Sequence, residues 1–170
     1  MATTDMKKAI IIGCPGSGKS TFARALAGKK GLPLIHLDML YWNADKTTVA
    51  REVFDERLRN AMAGETWIID GNYSRTMELR LKECDTVFFL DYPAEVCLEG
   101  IRERKGKPRP DMPWVEEKDD EELIAFIKDF KNESRPKILA LLGKYKDKDI
   151  FIFKSREEAE EHLNKCTRIF

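Results

Sequence analysis

The sequence predicts an α/β fold in which helices cover both faces of one parallel β-sheet. Short apolar runs rich in Ile, Val and Phe recur along the chain, and longer amphipathic stretches with helical spacing separate them. The runs are nearly continuous rather than alternating, which is typical of strands buried on both faces of a parallel sheet. The repeated alternation of strand and helix therefore predicts three layers, with the sheet in the middle.

Five strands and five helices account for this alternation. The strands are predicted at Ala9–Ile12, Leu34–Leu37, Trp67–Ile69, Val87–Leu90 and Ile150–Phe153. The helices follow the strands, with apolar residues at helical spacing. They are predicted at about Lys19–Lys30, Thr48–Ala63, Ser74–Glu83, Ala94–Lys105 and Ser155–Lys165.

Two segments depart from the alternation. Lys105–Pro113 contains three prolines and a glycine, which exclude regular structure. Asp119–Tyr145 has helical spacing, but Pro136 interrupts it, so we expect two helices or one kinked helix. A chain of 170 residues is about one domain, and no linker or internal repeat argues for a second one, so residues 1–170 are predicted to form a single domain.

Composition limits the classes of function. Thirty basic residues balance thirty acidic residues, so no overall field favours nucleic acid as a partner. The cysteines are scattered without a Cys-x-x-Cys pair, which predicts buried reduced thiols rather than a zinc site or a disulfide framework. They are Cys14, Cys84, Cys97 and Cys166. We expect a cytoplasmic protein without a membrane partner, because no apolar run resembles a signal peptide or approaches a membrane span.

One motif carries most of the functional signal. It matches G-x-x-x-x-G-K-[ST] without a mismatch, and it lies between a predicted strand and a predicted helix, as a phosphate-binding loop (P-loop) requires. Its residues are Gly13, Cys14, Pro15, Gly16, Ser17, Gly18, Lys19 and Ser20. The glycines let backbone N–H groups face phosphate oxygens, and the following helix adds the positive end of its dipole. We expect Lys19 to reach the β- and γ-phosphates of ATP and the Ser20 hydroxyl to ligate Mg²⁺.

Two acidic residues follow predicted strands. Asp38 and Asp70 should face the crevice that contains the P-loop, since ligands of open parallel sheets bind outside the carboxyl ends of the strands. Asp70 follows an apolar strand and precedes Gly71, which is typical of a Walker B residue that holds Mg²⁺. The alternative is that Asp70 only begins a turn. Asp38 could orient and deprotonate an acceptor hydroxyl, belong to a second magnesium shell, or cap a helix. Tyr41 and Trp42 follow it and either form the wall of an acceptor pocket or belong to the core.

A cluster of basic residues surrounds the proline-rich segment. It comprises Arg102, Arg104, Lys105, Lys107 and Arg109. An arginine placed on the transferring phosphoryl group contributes about 10³–10⁵ in rate, and a mobile lid is the usual way to deliver it. The alternative is a solvated, charged loop. Arg75 and Arg135 are further candidates for gripping a phosphate or an acidic group of the acceptor, or else ordinary surface arginines.

Together these motifs resemble the adenylate kinase-like P-loop kinases, and more closely the bacterial topology modulation proteins. The resemblance covers essentially the whole chain and rests on IIGCPGSGKSTFARALA, LDMLYW, WIIDGNYSRTMELRL, FFLDYP, IRERKGKPRPDMPW and SRPKI. It implies a five-stranded parallel sheet in the order 2-3-1-4-5, a short lid at about residues 102–117, and phosphoryl transfer from ATP. It also implies that residues Gly13–Thr21 bind the triphosphate, that Arg102 and Arg104 form the base of the lid, and that Lys154 and Ser155 lie near the adenine.

The sequence therefore predicts a small ATP- and Mg²⁺-dependent phosphotransferase whose unidentified acceptor presents a hydroxyl group. Two alternatives stay open. One is a nucleoside monophosphate kinase, although such enzymes typically place a Pro-Arg pair directly after Asp-Gly, where this chain has Asn72-Tyr73-Ser74 before Arg75. The other is a nucleotide-dependent regulator that binds DNA or a protein, against which the balanced charge and the lack of a DNA-reading element count.

Overall fold

The computed structural model of the protein describes residues 5–166 and contains one five-stranded sheet. The strands are β1 (Lys8–Gly13), β2 (Leu34–His36), β3 (Trp67–Asp70), β4 (Thr86–Leu90) and β5 (Asp149–Phe153). All neighbouring pairs are parallel, and the order across the sheet is β2-β3-β1-β4-β5. The predicted fold class and strand order are confirmed.

Seven helices connect and flank these strands in residues 5–166. They are α1 (Lys19–Lys30), α2 (Leu37–Tyr41), α3 (Arg51–Met62), α4 (Ser74–Glu83), α5 (Ala94–Arg104), α6 (Glu121–Lys144) and α7 (Arg156–Lys165). None of them has both the length and the apolar character needed to cross a membrane.

The central strands form the core of the molecule. Every residue of β3 and β4 is buried, as are the residues of β1 after Lys8. The edge strands differ, because β2 is half-buried and β5 exposes Phe151 and Ile152 by 37% and 39%. The prediction of burial on both faces is therefore wrong for the edges of the sheet, where no neighbouring strand extends the layer.

Three local predictions need correction. The helix α2 was not predicted, because a single turn is too short to show helical periodicity. The helix α3 begins at Arg51 rather than Thr48, since Thr48 pairs with Trp42 in an antiparallel bridge. The segment that was predicted to form two helices or a kinked helix is one continuous helix, α6, with Pro136 inside it. Because proline has no backbone N–H, one carbonyl of the preceding turn lacks its helical hydrogen bond.

The cysteines are all free, as expected, but only three are buried. These three are Cys14, Cys84 and Cys97, whereas Cys166 is half-buried at the end of α7.

The strand order brings the motifs together. The connections from β1 and β3 leave the same end of the sheet as neighbours, and Ile11 of β1 is in register with Asp70 of β3. In turn, Asp70 is in register with His36 of β2. Between β1 and β4 the direction of winding reverses, which opens a crevice at the carboxyl ends of the strands, as in other doubly wound sheets. The P-loop lies in this crevice.

Candidate active site

The P-loop is held in place by close packing against α5. Gly16 has φ of 82°, and a Cβ atom there would lie 2.1 Å from the carbonyl oxygen of Cys97. A Cβ on Gly100 would likewise lie 2.0 Å from the carbonyl oxygen of Gly16. Only glycine fits at this contact, for both conformational and steric reasons. The loop then enters α1 through Gly18, whose φ of 95° is again in the left-handed region.

The lysine of the motif lies across the P-loop. Its Nζ atom donates hydrogen bonds to the carbonyl oxygens of Gly13 at 3.0 Å and Cys14 at 3.2 Å. Burial lowers the pKa of Lys19, while the carboxylates of Asp38 and Asp70 raise it. The ammonium group thus lies within electrostatic reach of both predicted acidic residues.

Asp38 occupies the first turn of α2, beside Tyr73. The Tyr73 hydroxyl donates a hydrogen bond of 2.5 Å to Asp38 Oδ1. Burial raises the pKa of Asp38, whereas this hydrogen bond and the nearby Lys19 ammonium lower it, leaving a net increase. A carboxylate with a raised pKa is a stronger base than a free aspartate, and its second oxygen remains available to a ligand.

Asp70 and Ser20 are the predicted magnesium ligands. Asp70 is buried, and its Oδ2 lies 2.8 Å from His36 Nδ1. The Ser20 hydroxyl accepts a hydrogen bond from Arg24. Both residues line the same cleft as Lys19, and both offer the hard oxygen donors that Mg²⁺ prefers. Within residues 5–166 no group of three or more His, Cys, Asp or Glu side chains is arranged to hold a metal ion.

A buried arginine of α4 holds the loop after β3 in place. Arg80 of α4 is fully buried, and its guanidinium donates to the carbonyl oxygens of Gly71 (3.0 Å), Asn72 and Tyr73 (3.1 Å). Burial lowers the pKa of Arg80 to about 10, so it remains a cation at neutral pH. These contacts hold the loop in a shape that includes a left-handed Tyr73, with φ of 41°.

The same loop is joined to the P-loop. Asn72 Oδ1 accepts a hydrogen bond of 3.0 Å from the Gly13 N–H, and its Nδ2 donates one of 2.6 Å to the Gly13 carbonyl. Arg80 and Asn72 together therefore set the position of Tyr73, and through it that of Asp38, relative to the phosphate-binding backbone.

The connection between α5 and α6 (residues 105–120) folds over this region. Glu116 forms ion pairs with Arg104 at 3.2 Å and with Arg109 at 3.0 Å. Arg109 also contacts Asp111 at 3.2 Å. In the same connection, Trp114 packs edge-to-face against Trp42, with ring centroids 5.4 Å apart.

These elements enclose one cleft of about 1,810 Å³. Of the predicted site residues, most line it: Pro15, Gly16, Ser17, Gly18, Lys19, Ser20, Thr21, Asp38, Trp42, Asp70, Arg102, Arg104 and Arg109. Gly13 and Cys14 are not among the lining residues, but their carbonyl oxygens accept hydrogen bonds from Lys19, which lines the cleft. Tyr41 is not among the lining residues and instead packs against Trp42, Phe54 and Tyr73, as in the alternative reading of a core aromatic residue.

The structure does not bring Arg75 or Arg135 to the cleft. Arg75 forms a two-pronged ion pair with Asp55 of α3, with contacts of 2.6 and 3.2 Å. Arg135 contacts Asp91 at 2.9 Å, and Lys154 contacts the same carboxylate. In both cases the guanidinium that was expected to bind the acceptor forms an ion pair with a carboxylate of the protein instead.

Comparisons with known proteins agree with this architecture. Adenylate kinases of Mycobacterium tuberculosis and Mycobacterium bovis are 28% identical to the chain, over 82% of its length and 86% of theirs. Shikimate kinase from Bacteroides thetaiotaomicron superimposes with a TM-score of 0.57 at 23% identity, over 94% of this chain and 96% of that one. Shikimate kinase from Acinetobacter baumannii, solved in complex with shikimate, gives 0.62 at 18% identity, over 95% and 91% of the two chains. The chain has the P-loop kinase fold.

No protein-family model matches the sequence. The similarity to P-loop kinases nevertheless confirms the predicted superfamily, and it supports the prediction of an ATP-dependent kinase. The closer resemblance to topology modulation proteins stays a prediction.

Several residues that line this cleft or hold its lining in place were not predicted from the sequence. They are His36, Asn72, Tyr73, Arg80, Asp111 and Trp114. One signal was available for Arg80, since it lies beside Met77 and Leu81 on the apolar face of a helix, where an arginine must find buried partners. The side-chain contacts of His36, Asn72, Tyr73 and Trp114 depend on distant parts of the chain, which no local pattern reveals, whereas Asp111 contacts Arg109 two residues away.

Proposed function

We propose that the protein transfers the γ-phosphoryl group of ATP to a hydroxyl group of a small molecule bound beside Asp38. The observation that carries this proposal is that Lys19 of the P-loop and Asp38 line the same cleft. The ammonium of a complete P-loop and a carboxylate with a raised pKa lie close enough for each to shift the pKa of the other. Phosphoryl transfer to a hydroxyl requires these two functions side by side.

The triphosphate would bind to the P-loop backbone and the first turn of α1. Lys19 already lies across this loop, where it donates to two carbonyl oxygens. Phosphate oxygens are stronger acceptors because they are charged, so Lys19 would exchange these carbonyls for the β- and γ-phosphates. The exchange requires only a rotation of a flexible side chain, which fits a site built before its ligand arrives.

Ser20 and Asp70 would hold Mg²⁺ together with phosphate oxygens. When bound, the ion neutralises the charge that develops on the β- and γ-phosphates. The contact with His36 fixes the orientation of the Asp70 carboxylate and leaves Oδ1 for the metal or one of its waters.

Asp38 would orient the acceptor and receive its proton. With Oδ1 held by Tyr73, Oδ2 is the atom that would accept a hydrogen bond from the acceptor hydroxyl. As the oxygen attacks the γ-phosphorus, its proton passes to Oδ2, and the bond from phosphorus to the β,γ-bridging oxygen breaks to release ADP. A positioned general base typically contributes about 10²–10⁴ in rate.

Arg104 and Arg109 are the lid arginines best placed to approach the transferring phosphoryl group. Both are half-buried and line the cleft, and both are held by Glu116. In this proposal residues 102–117 act as the lid, and one of the two arginines leaves Glu116 for the γ-phosphate when both substrates are bound.

A nucleoside monophosphate kinase is the second candidate, favoured by the sequence similarity to adenylate kinases. A phosphate acceptor is already ionised and needs no base, so Asp38 would then have no proton to accept. The engagement of Arg75 by Asp55, outside the cleft, counts against this candidate.

An assay of ADP release tests the proposed function. Wild-type protein with Mg²⁺ and ATP is incubated with separate panels of hydroxyl compounds and nucleoside monophosphates, and any phosphorylated product is identified by mass spectrometry. Lys19→Ala is the matched control, since it should retain the fold and lose turnover. Calorimetry accompanies the assay, and absence of Mg²⁺-dependent ATP binding to the wild type would contradict the proposal.

A further inference from the structure

Two segments that border the cleft on different sides touch each other. One is the turn between α2 and α3 (residues 42–48), and the other is the connection between α5 and α6 (residues 105–120). The turn follows β2, the connection follows β4 by way of α5, and β3 and β1 lie between these two strands in the sheet. The P-loop follows β1, and Asp70 ends β3. A contact between the two segments therefore spans the crevice that contains the P-loop.

Trp114 of the connection is the centre of this contact. Its ring meets the ring of Trp42 edge-to-face, with centroids 5.4 Å apart, and the ammonium of the exposed Lys46 lies 5.3 Å from its centroid. All three side chains line the cleft. An aromatic pair of this kind favours closure by a factor of roughly 2–10. An exposed cation over an indole ring adds a factor of roughly 2–5.

Each of the two segments is also held together by contacts of its own. Trp42 and Thr48 pair in an antiparallel bridge that closes the turn, and backbone hydrogen bonds connect residues within 43–47. In the connection, Glu116 forms an ion pair of 3.0 Å with Arg109. Because each segment keeps its shape through internal contacts, each can move as a unit, with the aromatic pair at the boundary between them.

Closing this contact has a cost as well as a gain. The Nε1–H of Trp114 is buried and has no hydrogen-bond partner among residues 5–166. A buried donor without a partner opposes closure by a factor of roughly 5–150, and water would satisfy it once the segments part. The cost is similar in size to the gain from the aromatic pair and the cation, so this contact does not by itself hold the segments shut.

The contact lies beside the residue that is proposed to bind the acceptor. The Trp42 N–H donates a hydrogen bond of 3.0 Å to the carbonyl oxygen of Asp38, one helical turn away. We infer that the contact centred on Trp114 is a gate for the acceptor, in which the turn and the connection part to admit a molecule to Asp38 and then close over it. The inference rests on the proposed function, since it takes the Asp38 end of the cleft as the acceptor site.

The gate is tested without turnover, by alkylating a thiol placed at position 38. The Asp38→Cys variant is treated either with iodoacetamide, which is small, or with fluorescein maleimide, which is bulky, and the modified peptide is quantified by mass spectrometry. Position 38 is half-buried, so the small reagent has access with the segments in contact, whereas the bulky reagent requires them to part. The ratio of the two rates therefore measures opening and is insensitive to a change in the reactivity of the thiol.

Two further substitutions are made in the Asp38→Cys background. Lys46→Met keeps the aliphatic stem and removes the charge, so the rate with the bulky reagent should rise about two- to fivefold. Trp114→Leu removes both interactions and should raise that rate at least fivefold, while the small reagent reacts at nearly the same rate in all variants. Phe126→Leu is the matched control and should change neither rate, since Phe126 is an exposed aromatic residue of α6 that also lines the cleft.

Three results would overturn the inference. Equal acceleration of both reagents would report a more reactive thiol, and no acceleration in either variant would show that the contact does not control access. Acceleration in Trp114→Leu but not in Lys46→Met would identify a static wall whose bulk had been reduced. Each of these results would leave the proposed phosphoryl transfer standing, whereas failure of the wild type to bind ATP with Mg²⁺ would remove the proposed function and leave the labelling rates unaffected.

Discussion

The hydroxyl of Tyr73 donates a hydrogen bond of 2.5 Å to Oδ1 of Asp38, and so joins the loop after β3 to the start of α2. These two residues are 35 positions apart in the chain and belong to neighbouring strand–helix units. The bond fixes which oxygen of Asp38 remains free, and it stabilises the ionised form of the carboxylate. The proposed catalytic base therefore depends on a tyrosine outside its own motif.

Tyr73→Phe should shift the pH dependence of catalysis. The hydrogen bond lowers the pKa of Asp38, so its removal raises that pKa further. Because the base must be ionised to accept a proton, the acid limb of the kcat/KM profile should move to higher pH. On that limb we expect a loss of roughly tenfold, since a hydrogen bond to a charged group is worth about 1.5–3 kcal/mol. Tyr145→Phe, which removes a bond to Glu78, serves as the control and should leave the limb in place.

Replacing Arg80 with methionine should destabilise the fold. Arg80→Met keeps the aliphatic stem but removes the guanidinium donor from the carbonyl oxygens of Gly71 and Asn72, while the Tyr73 carbonyl keeps its hydrogen bonds from Thr76. We expect the free energy of unfolding to fall by at least about 2 kcal/mol. Urea denaturation measures the difference, with Arg59→Met as the control, because Arg59 is an exposed residue of α3. Equal midpoints for the two variants would refute the structural role of Arg80.

The contact between Asn72 and Gly13 predicts an effect on nucleotide binding. Asn72→Ala removes both hydrogen bonds from the backbone of Gly13, at the start of the P-loop. A less fixed loop must be ordered when ATP binds, so the Kd for ATP should rise by about tenfold. Calorimetry checks this against Asn60→Ala, which alters an exposed residue of α3. An unchanged Kd for Asn72→Ala would show that the P-loop holds its shape without this contact.

Glu116→Gln should loosen the connection between α5 and α6. Glu116 is the shared partner of Arg104 and Arg109, so neutralising it weakens two ion pairs at once. Amide hydrogen exchange across residues 105–116 should become several-fold faster in the ligand-free protein, and ATP with an acceptor should restore protection if the arginines move to phosphate. Glu117→Gln, at an exposed neighbouring position, is the control. Identical exchange in both variants would identify the segment as a static loop.

Local patterns were sufficient for the fold but not for the whole site. The apolar runs and the P-loop motif depend on residues adjacent in sequence, and therefore predicted all five strands and the position of Lys19. The strand order came from the resemblance to P-loop kinases rather than from the residues alone. The role of Tyr73 could not be predicted, because its partner Asp38 is brought near only by the parallel pairing of β2 with β3.

Charged residues were the least predictable part of the site. Arg75 and Arg135 were plausible ligands for an acceptor phosphate, yet each found a carboxylate outside the cleft, Asp55 and Asp91 respectively. A guanidinium pairs with whichever carboxylate the fold places beside it, and that choice is made by tertiary structure. Arg109 instead pairs with Asp111 and Glu116, which lie two and seven residues away in the same connection, but no regular periodicity in this segment indicates which of its charged residues meet.

The kinetics of Asp38→Asn test the central claim most directly. Asparagine keeps the shape of the side chain and can still form hydrogen bonds, but it cannot accept the proton of a hydroxyl group. With the acceptor found in the ADP-release assay, kcat should fall by about 10²–10⁴. The Kd for ATP should stay nearly unchanged, added Mg²⁺ should not restore the rate, and Asp129→Asn on the exposed face of α6 should behave like the wild type. A kcat for Asp38→Asn close to that of the wild type would contradict the account and favour an acceptor that is already ionised.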